Sequence, residues 1–129
     1  MGCGRSPALG TTKISSKGAA PWERCYILDV LPGGSKAKVA QYNVVCKVRS
    51  SANAYVKLVL EHGLDGQHFA VHSTPIAYAE APEGGTLSGD ADTSTIIGEH
   101  RRCSLYIKDN TSTAEEWAVV EVWEMLKPF

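Results

Sequence analysis

The chain has 129 residues, enough for one domain with a core of its own. It is 43% hydrophobic and 21% charged, the composition of a globular protein and not of a disordered or fibrous one. A formal net charge of −1 excludes a global drive toward nucleic acid or anionic membrane, and no apolar run has the length of a transmembrane helix or a signal-peptide core.

Residues 1–20, MGCGRSPALGTTKISSKGAA, are rich in Gly, Ser, Thr and Ala and show no apolar period. They are expected to be an extended arm ahead of a domain spanning 21–129. The opening MGCGRS fits the N-myristoylation pattern M-G-x-x-x-[ST], in which Gly2 takes an acyl chain, and Cys3 beside it could take a second one. Arg5, Lys13 and Lys17 would reinforce such an anchor. Without acylation no membrane partner is expected, and the same five residues mark an arm that reaches a neighbouring subunit.

From Trp22 the pattern changes. Trp22 to Leu31 is a predicted strand, closed by Pro32-Gly33-Gly34-Ser35. Ala40, Tyr42, Val44, Cys46 and Val48 alternate with polar residues, the signature of a half-buried strand. The stretch LEHGLDGQHFAVH, Leu60 to His72, then places Asp65-Gly66 between two runs of strand formers, the pattern of a tight hairpin. A two- or four-residue loop puts Leu58, Leu60, Phe69 and Val71 on one face. It also sends His68 and His72 to the face of Lys57, Val59 and Glu61, with His62 on the other. His68 and His72 are then too far apart to share an ion without a third ligand, so polar residues on a solvated face are the expectation and a metal site the minor alternative.

Ile76 to Ala79 allows a brief pairing, and Glu80 to Ser94 has loop composition. Within it SGDADTS spaces Asp90, Asp92 and Ser94 like the start of a calcium loop. The central Gly and closing Glu of such a loop are missing. Glu80, Glu83, Asp90 and Asp92 could pair as catalytic carboxylates, but spacing does not bring them together. His100-Arg101-Arg102 is a small basic cluster at a strand end, and Cys103, Leu105 and Ile107 continue as a half-buried strand. WAVVEVWEML suits strand or helix, and its Val and Trp content favours strand. Cys3, Cys25, Cys46 and Cys103 form no CxxC, and the last three fall in apolar runs, so buried free thiols in an intracellular or assembled-particle setting are expected. The expected fold is all-β, an antiparallel two-sheet sandwich that admits a jelly roll, with an extended N-terminal arm. Its predicted core holds Val44, Cys46, Val48, Leu58, Leu60, Phe69, Val71, Cys103, Leu105 and Ile107.

KLVLEHGLDGQHFAVHS resembles a strand–Asp-Gly–strand hairpin of β-sandwich domains in phage virion proteins and bacterial surface or sheath proteins. GEHRRCSLYIKD followed by WAVVEVWEML resembles their closing hairpin. The resemblance covers roughly residues 54–73 and, more loosely, 98–126. It implies a non-catalytic structural domain and carries no functional residue over.

No nucleophile–base pair, phosphate-cradling loop or cofactor motif appears, so neither catalysis nor a cofactor is expected. The expected function is a structural subunit that assembles with copies of itself into a shell, tube, sheath or fibre. One alternative is a carbohydrate-binding, lectin-like module that stacks sugars on Trp22, Trp117 and Trp123. Another is a small metal-dependent jelly-roll enzyme using His68, His72 and a loop carboxylate.

Overall fold

The computed structural model describes residues 4–15, 23–32, 37–63, 65, 67–92, 100–109 and 115–128, with side chains for 13–15, 40–63, 65, 67–92, 100–108 and 115–125. Among the described residues the chain forms strands only: β1 (Gly4–Ser15), β2 (Glu23–Pro32), β3 (Ala37–Arg49), β4 (Ala54–Gly63), β5 (Ala70–Glu80), β6 (Thr86–Asp92), β7 (His100–Asp109) and β8 (Trp117–Pro128).

Two four-stranded sheets result, in the orders β1-β8-β3-β6 and β2-β7-β4-β5. All pairings are antiparallel. The partners nest: β1 with β8, β2 with β7, β3 with β6, β4 with β5. The chain is thus one long hairpin rolled over on itself, and every connection except β4–β5 passes from one sheet to the other. That topology is a jelly roll.

The core lies between the sheets because each strand alternates. Tyr42, Val44, Cys46, Val120 and Val122 point inward from one sheet, and Val56, Leu58, Leu60, Ile76, Cys103, Leu105 and Ile107 from the other. Fully burying a residue such as Leu58 or Ile107 stabilises by about 1.5–3 kcal/mol. WAVVEVWEML is a strand at the centre of its sheet, between β1 and β3.

Several expectations are corrected. Gly4–Ser15 is not an arm reaching away from the domain but the edge strand β1, paired with β8 from Gly4↔Leu126 to Ser15↔Trp117. The sandwich therefore begins near residue 4, and Ile14 belongs to its core. The neighbouring strand supplied what composition lacked. Residues 86–92, read as loop, are the edge strand β6, whose ladder with β3 runs without a break from Val39↔Asp92 to Val45↔Thr86. Gly89 is what lets β6 lie against β5, since a Cβ there would stand 1.8 Å from the Pro75 carbonyl oxygen.

Three core assignments fail, two of them because of β-bulges, which insert a residue and reverse the phase of a strand. In β3 the register shifts between Cys46↔Val120 and Val48↔Val119, so Val48 turns outward and is 39% exposed. In β5 the register shifts three times, and Val71 lies opposite Glu61 instead of Leu58 or Leu60, leaving it 63% exposed. Phe69 precedes β5 and is only half-buried. The hairpin loop is accordingly longer than Asp-Gly suggests, running between Gly63 and Ala70. Asp65 organises it with its side chain, Oδ1 accepting from the amides of Gln67 (2.9 Å) and His68 (2.8 Å).

Candidate functional site

Period-two geometry and the nested topology bring all four histidines to one end of the sandwich, around the β4–β5 loop. His62 ends β4, His68 lies in the loop, His72 starts β5 and His100 starts β7, where its backbone pairs with Gly63. The expected division of faces does not hold. The His62 and His72 rings meet edge to face, 5.1 Å between centroids and 74° between planes. The reason is the register set by the loop: His62 pairs with Ala70, so alternation carries His72, two residues on, to the same face, and β5 then steps from Val71↔Glu61 to Ser73↔Leu60.

Both rings are half-buried. His72 Nδ1 shares a hydrogen bond with Ser73 Oγ at 3.0 Å, which fixes the ring. Burial and then the neighbouring His62 lower the His72 pKa, against a smaller opposing pull from Asp92. His68 is not part of this contact. It is exposed, and its Nδ1 stands 2.6 Å from Asp65 Oδ2. Hydrogen bonds from the His68 and Gln67 backbone and the His68 ring hold the Asp65 carboxyl well below the usual carboxylate range. The His100 Nδ1 atom is buried without a hydrogen-bond partner. Asp90 and Asp92 are both exposed on β6, in a strand and not in a calcium-type loop. Among the described residues no three His, Cys, Asp or Glu side chains are arranged to hold a metal ion.

Directly inside this end lies a buried polar cluster that sequence reasoning missed. Arg101 of β7 faces Glu124 of β8 across the core, and Tyr42 of β3 joins them. Arg101 Nη2 donates to Glu124 Oε1 at 2.9 Å, Arg101 Nη1 also pairs with Glu124 Oε2, and Tyr42 Oη donates to Glu124 Oε2 at 2.7 Å. Arg101 Nη1 reaches Tyr42 Oη at 3.3 Å. Glu124 is 1% exposed and Arg101 5%. Burial works against the Arg101 charge, but hydrogen bonding and charge from Glu124 outweigh it, and its pKa rises. Burial first, then Glu124, pushes the Cys103 thiol up to about 12. Burial raises the Cys46 thiol too. Both shifts favour the neutral thiol over the thiolate that nucleophilic chemistry needs. The signal was legible in principle: Glu124 occupies the inward phase of Ala118, Val120 and Val122, and Arg101 that of Cys103 and Leu105.

The basic cluster His100-Arg101-Arg102 is therefore split by alternation. Arg102 turns outward, where its Nε donates to Glu61 Oε1 at 3.1 Å and its guanidinium lies 4.1 Å from the Phe69 ring centroid. Ser104 Oγ donates to the same Glu61 oxygen. Farther along that outer face the Lys57 ammonium stands over Tyr78 (4.7 Å) and Tyr106 (4.5 Å).

The opposite end is built from carboxylates. Glu116 Oε2 accepts from Ser50 Oγ (2.6 Å) and Ser51 Oγ (2.5 Å), and Ser50 Oγ accepts from the Trp117 amide at 2.8 Å. Arg49 Nη1 donates to Glu80 Oε1 at 2.8 Å and to the Ala81 carbonyl, while Glu83 accepts from the Arg49 amide at 3.3 Å. Glu80 and Glu83 thus serve one arginine and do not pair as an acid and a base. Trp117 and Trp123 share the outer face of the first sheet, but six residues of strand separate them by roughly 20 Å, too far for one sugar. The Lys13 ammonium covers Trp117 at 4.8 Å, and Trp123 Nε1 donates to Glu121 Oε1 at 2.5 Å. Trp22, Gly2, Cys3 and Lys17 lie outside the described residues. Arg5 and Cys25 are placed in β1 and β2 by their backbones, opposite Met125 and Tyr106, but their side chains lie outside as well.

No protein family and no curated protein matches the sequence. Solved structures do match the fold. The infectious bursal disease virus Gt strain structure superposes with a TM-score of 0.68 at 10% identity over 96% of this chain, and the Gx strain structure with 0.66 at 10% over 96%. The VP2 subviral particle of the same virus gives 0.64 at 8% over 92%. The chain spans about a third of the length of those proteins, 30–32%. At such identities the likeness is one of fold, and the fold is the jelly-roll sandwich found in these virus proteins.

Proposed function

We propose that the chain is a non-catalytic structural subunit that assembles with copies of itself into a shell or a related particle. The observation that carries this reading is the match of essentially the whole jelly roll to chains of infectious bursal disease virus structures, one of them a subviral particle. The unreactive thiols and the dispersed carboxylates agree with a structural role.

The sheet edges suggest how copies would meet. β5, the edge of one sheet, carries Pro75 and three register shifts. A proline lacks the N–H a ladder needs, and bulges twist an edge away from pairing, so strand addition along β5 is blocked. Contacts between copies would therefore run through sheet faces, loop ends or the other edge strands, and not along β5.

Light scattering and negative-stain electron microscopy of the purified chain test this. Closed or tubular particles, or discrete rings, are the expected result. A monomer mass at every protein concentration and salt condition tried would overturn the proposal.

A further inference from the structure

We propose that Asp65–Gly66 is a latent isomerisation site, held shut by the contacts of the Asp65 carboxylate in the folded chain and released when the β4–β5 loop opens. It is the one Asp-Gly of the sequence, which contains no Asn-Gly. Asp65 Oδ1 accepts from the Gln67 amide at 2.9 Å and the His68 amide at 2.8 Å, and Oδ2 stands 2.6 Å from His68 Nδ1. Both carboxylate oxygens are thus engaged by residues on the far side of Gly66, in a side chain that is 52% exposed to water.

The reaction needs no co-reactant but water. The Gly66 amide nitrogen loses its proton and bonds to Asp65 Cγ, the Cγ–OH bond breaks, and water leaves a five-membered succinimide. Glycine after the aspartate favours this closure, because it has no Cβ to crowd the attacking nitrogen. Water then adds to one of the two ring carbonyls and breaks its bond to nitrogen. Opening at Cγ returns aspartate. Opening at the backbone carbonyl gives isoaspartate at unchanged mass: the chain now runs through Cβ and Cγ, and the free carboxylate hangs directly from Cα. That carboxylate has lost the methylene that carried it to the Gln67 and His68 amides, so the change is one-way for the loop.

The folded loop opposes closure in two ways. The leaving group is the hydroxyl of the neutral acid, and the amide donors on Oδ1 with the ring on Oδ2 favour the ionised form, holding the carboxyl well below the usual carboxylate range. Each pKa unit of such lowering removes about nine-tenths of the neutral acid present above the pKa. The same three contacts fix the Asp65 side-chain torsions, which closure must change to bring Cγ within bonding distance of the next nitrogen. Gly63 backs the loop from the other side: it lies so close to the His68 backbone that a Cβ would stand 2.2 Å from its carbonyl oxygen.

The test incubates the full chain at about pH 6, folded and in guanidinium chloride, and follows isoaspartate at residue 65 by mass spectrometry with electron-transfer fragmentation. The unfolded chain should accumulate it at least roughly tenfold faster than the folded one. Folded His68→Ala loses the ring contact and keeps both amide bonds, so its rate should fall between the two. His68 is 86% exposed, and circular dichroism should show the variant as fully folded as the wild type during the incubation. Asp65→Glu should form no isomer at this position, because its ring closure needs one more carbon. Equal rates in the folded and unfolded chains overturn the proposal, as does an unfolded chain that forms no isoaspartate. A folded His68→Ala no faster than the wild type overturns it too, since the ring would then not help to hold the site shut. None of these readouts depends on particle formation, so this site and the assembly reading can fail separately.

Discussion

The two ends of the sandwich solve the same problem with different chemistry. At the end holding residues 50–53 and 81–85, loops must be tied together, and permanent charges and hydroxyls do it: Glu116 gathers Ser50 and Ser51, and Arg49 gathers Glu80 and the Ala81 carbonyl. At the other end, imidazoles and one bulge do it, over a buried Arg101–Glu124 pair. The first set of ties is made of charge-assisted hydrogen bonds, whereas the ring contact at the other end rests on packing and edge-to-face geometry. One fold thus carries an ionically tied end and a ring-packed end on the same alternating core.

The largest expected effect lies beneath the histidine end. Glu124→Gln leaves the Arg101 guanidinium buried opposite a neutral amide and should cost about 3–5 kcal/mol in urea unfolding. The double change Arg101→Met/Glu124→Leu should recover most of that loss, because it removes both desolvated charges at similar volume. A single variant as stable as the wild type would show that the pair does not hold this end.

The next effect tests the loop above it. A Cβ on Gly63 would stand 2.2 Å from the His68 carbonyl oxygen, a backbone atom that must move. Gly63→Ala should cost about 1–3 kcal/mol by crowding and should shift the His62 and His72 resonances while leaving those of Trp117 in place. At the carboxylate end, Glu116→Ala takes the carboxylate acceptor from Ser51 Oγ and leaves Ser50 Oγ with the Trp117 carbonyl at 3.2 Å, and about 1–2 kcal/mol should be lost. That loss should leave the His62 and His72 resonances in place. Shifted histidine resonances would erase the distinction between the ends.

The smallest expected effects check the core and the register. Cys103 is buried, with a thiol pKa pushed up to about 12, so iodoacetamide at about pH 8 should leave it unmodified until denaturant is added, as read by mass spectrometry. Val71→Thr should change stability by less than about 0.5 kcal/mol, because Val71 faces solvent opposite Glu61. A loss several times larger would mean that Val71 packs inward, as the alternation alone suggested.

Much of the fold was written in local periodicity. Strand character for residues 40–49, 54–62, 103–107 and 117–126, the inward phase of Leu58, Leu60, Leu105 and Ile107, and the two-sheet class all follow from period two and turn chemistry. The identity of the edges did not. β1 and β6 are poor in strand formers, and they are strands because β8 and β3 offer them a ladder. Register did not either: an inserted residue in β3 turned Val48 to solvent, the β4–β5 loop set His62 opposite Ala70 and so brought His72 to His62's face, and nothing in the local sequence marks either. The sequence by itself determined the residue classes on each strand, including a polar residue in the core phase at Arg101 and Glu124. Only the tertiary structure decided that those two meet across the sandwich and that four histidines scattered from 62 to 100 gather at one end, because side-chain proximity between strands is set by register, and register is a property of pairs of strands and not of one.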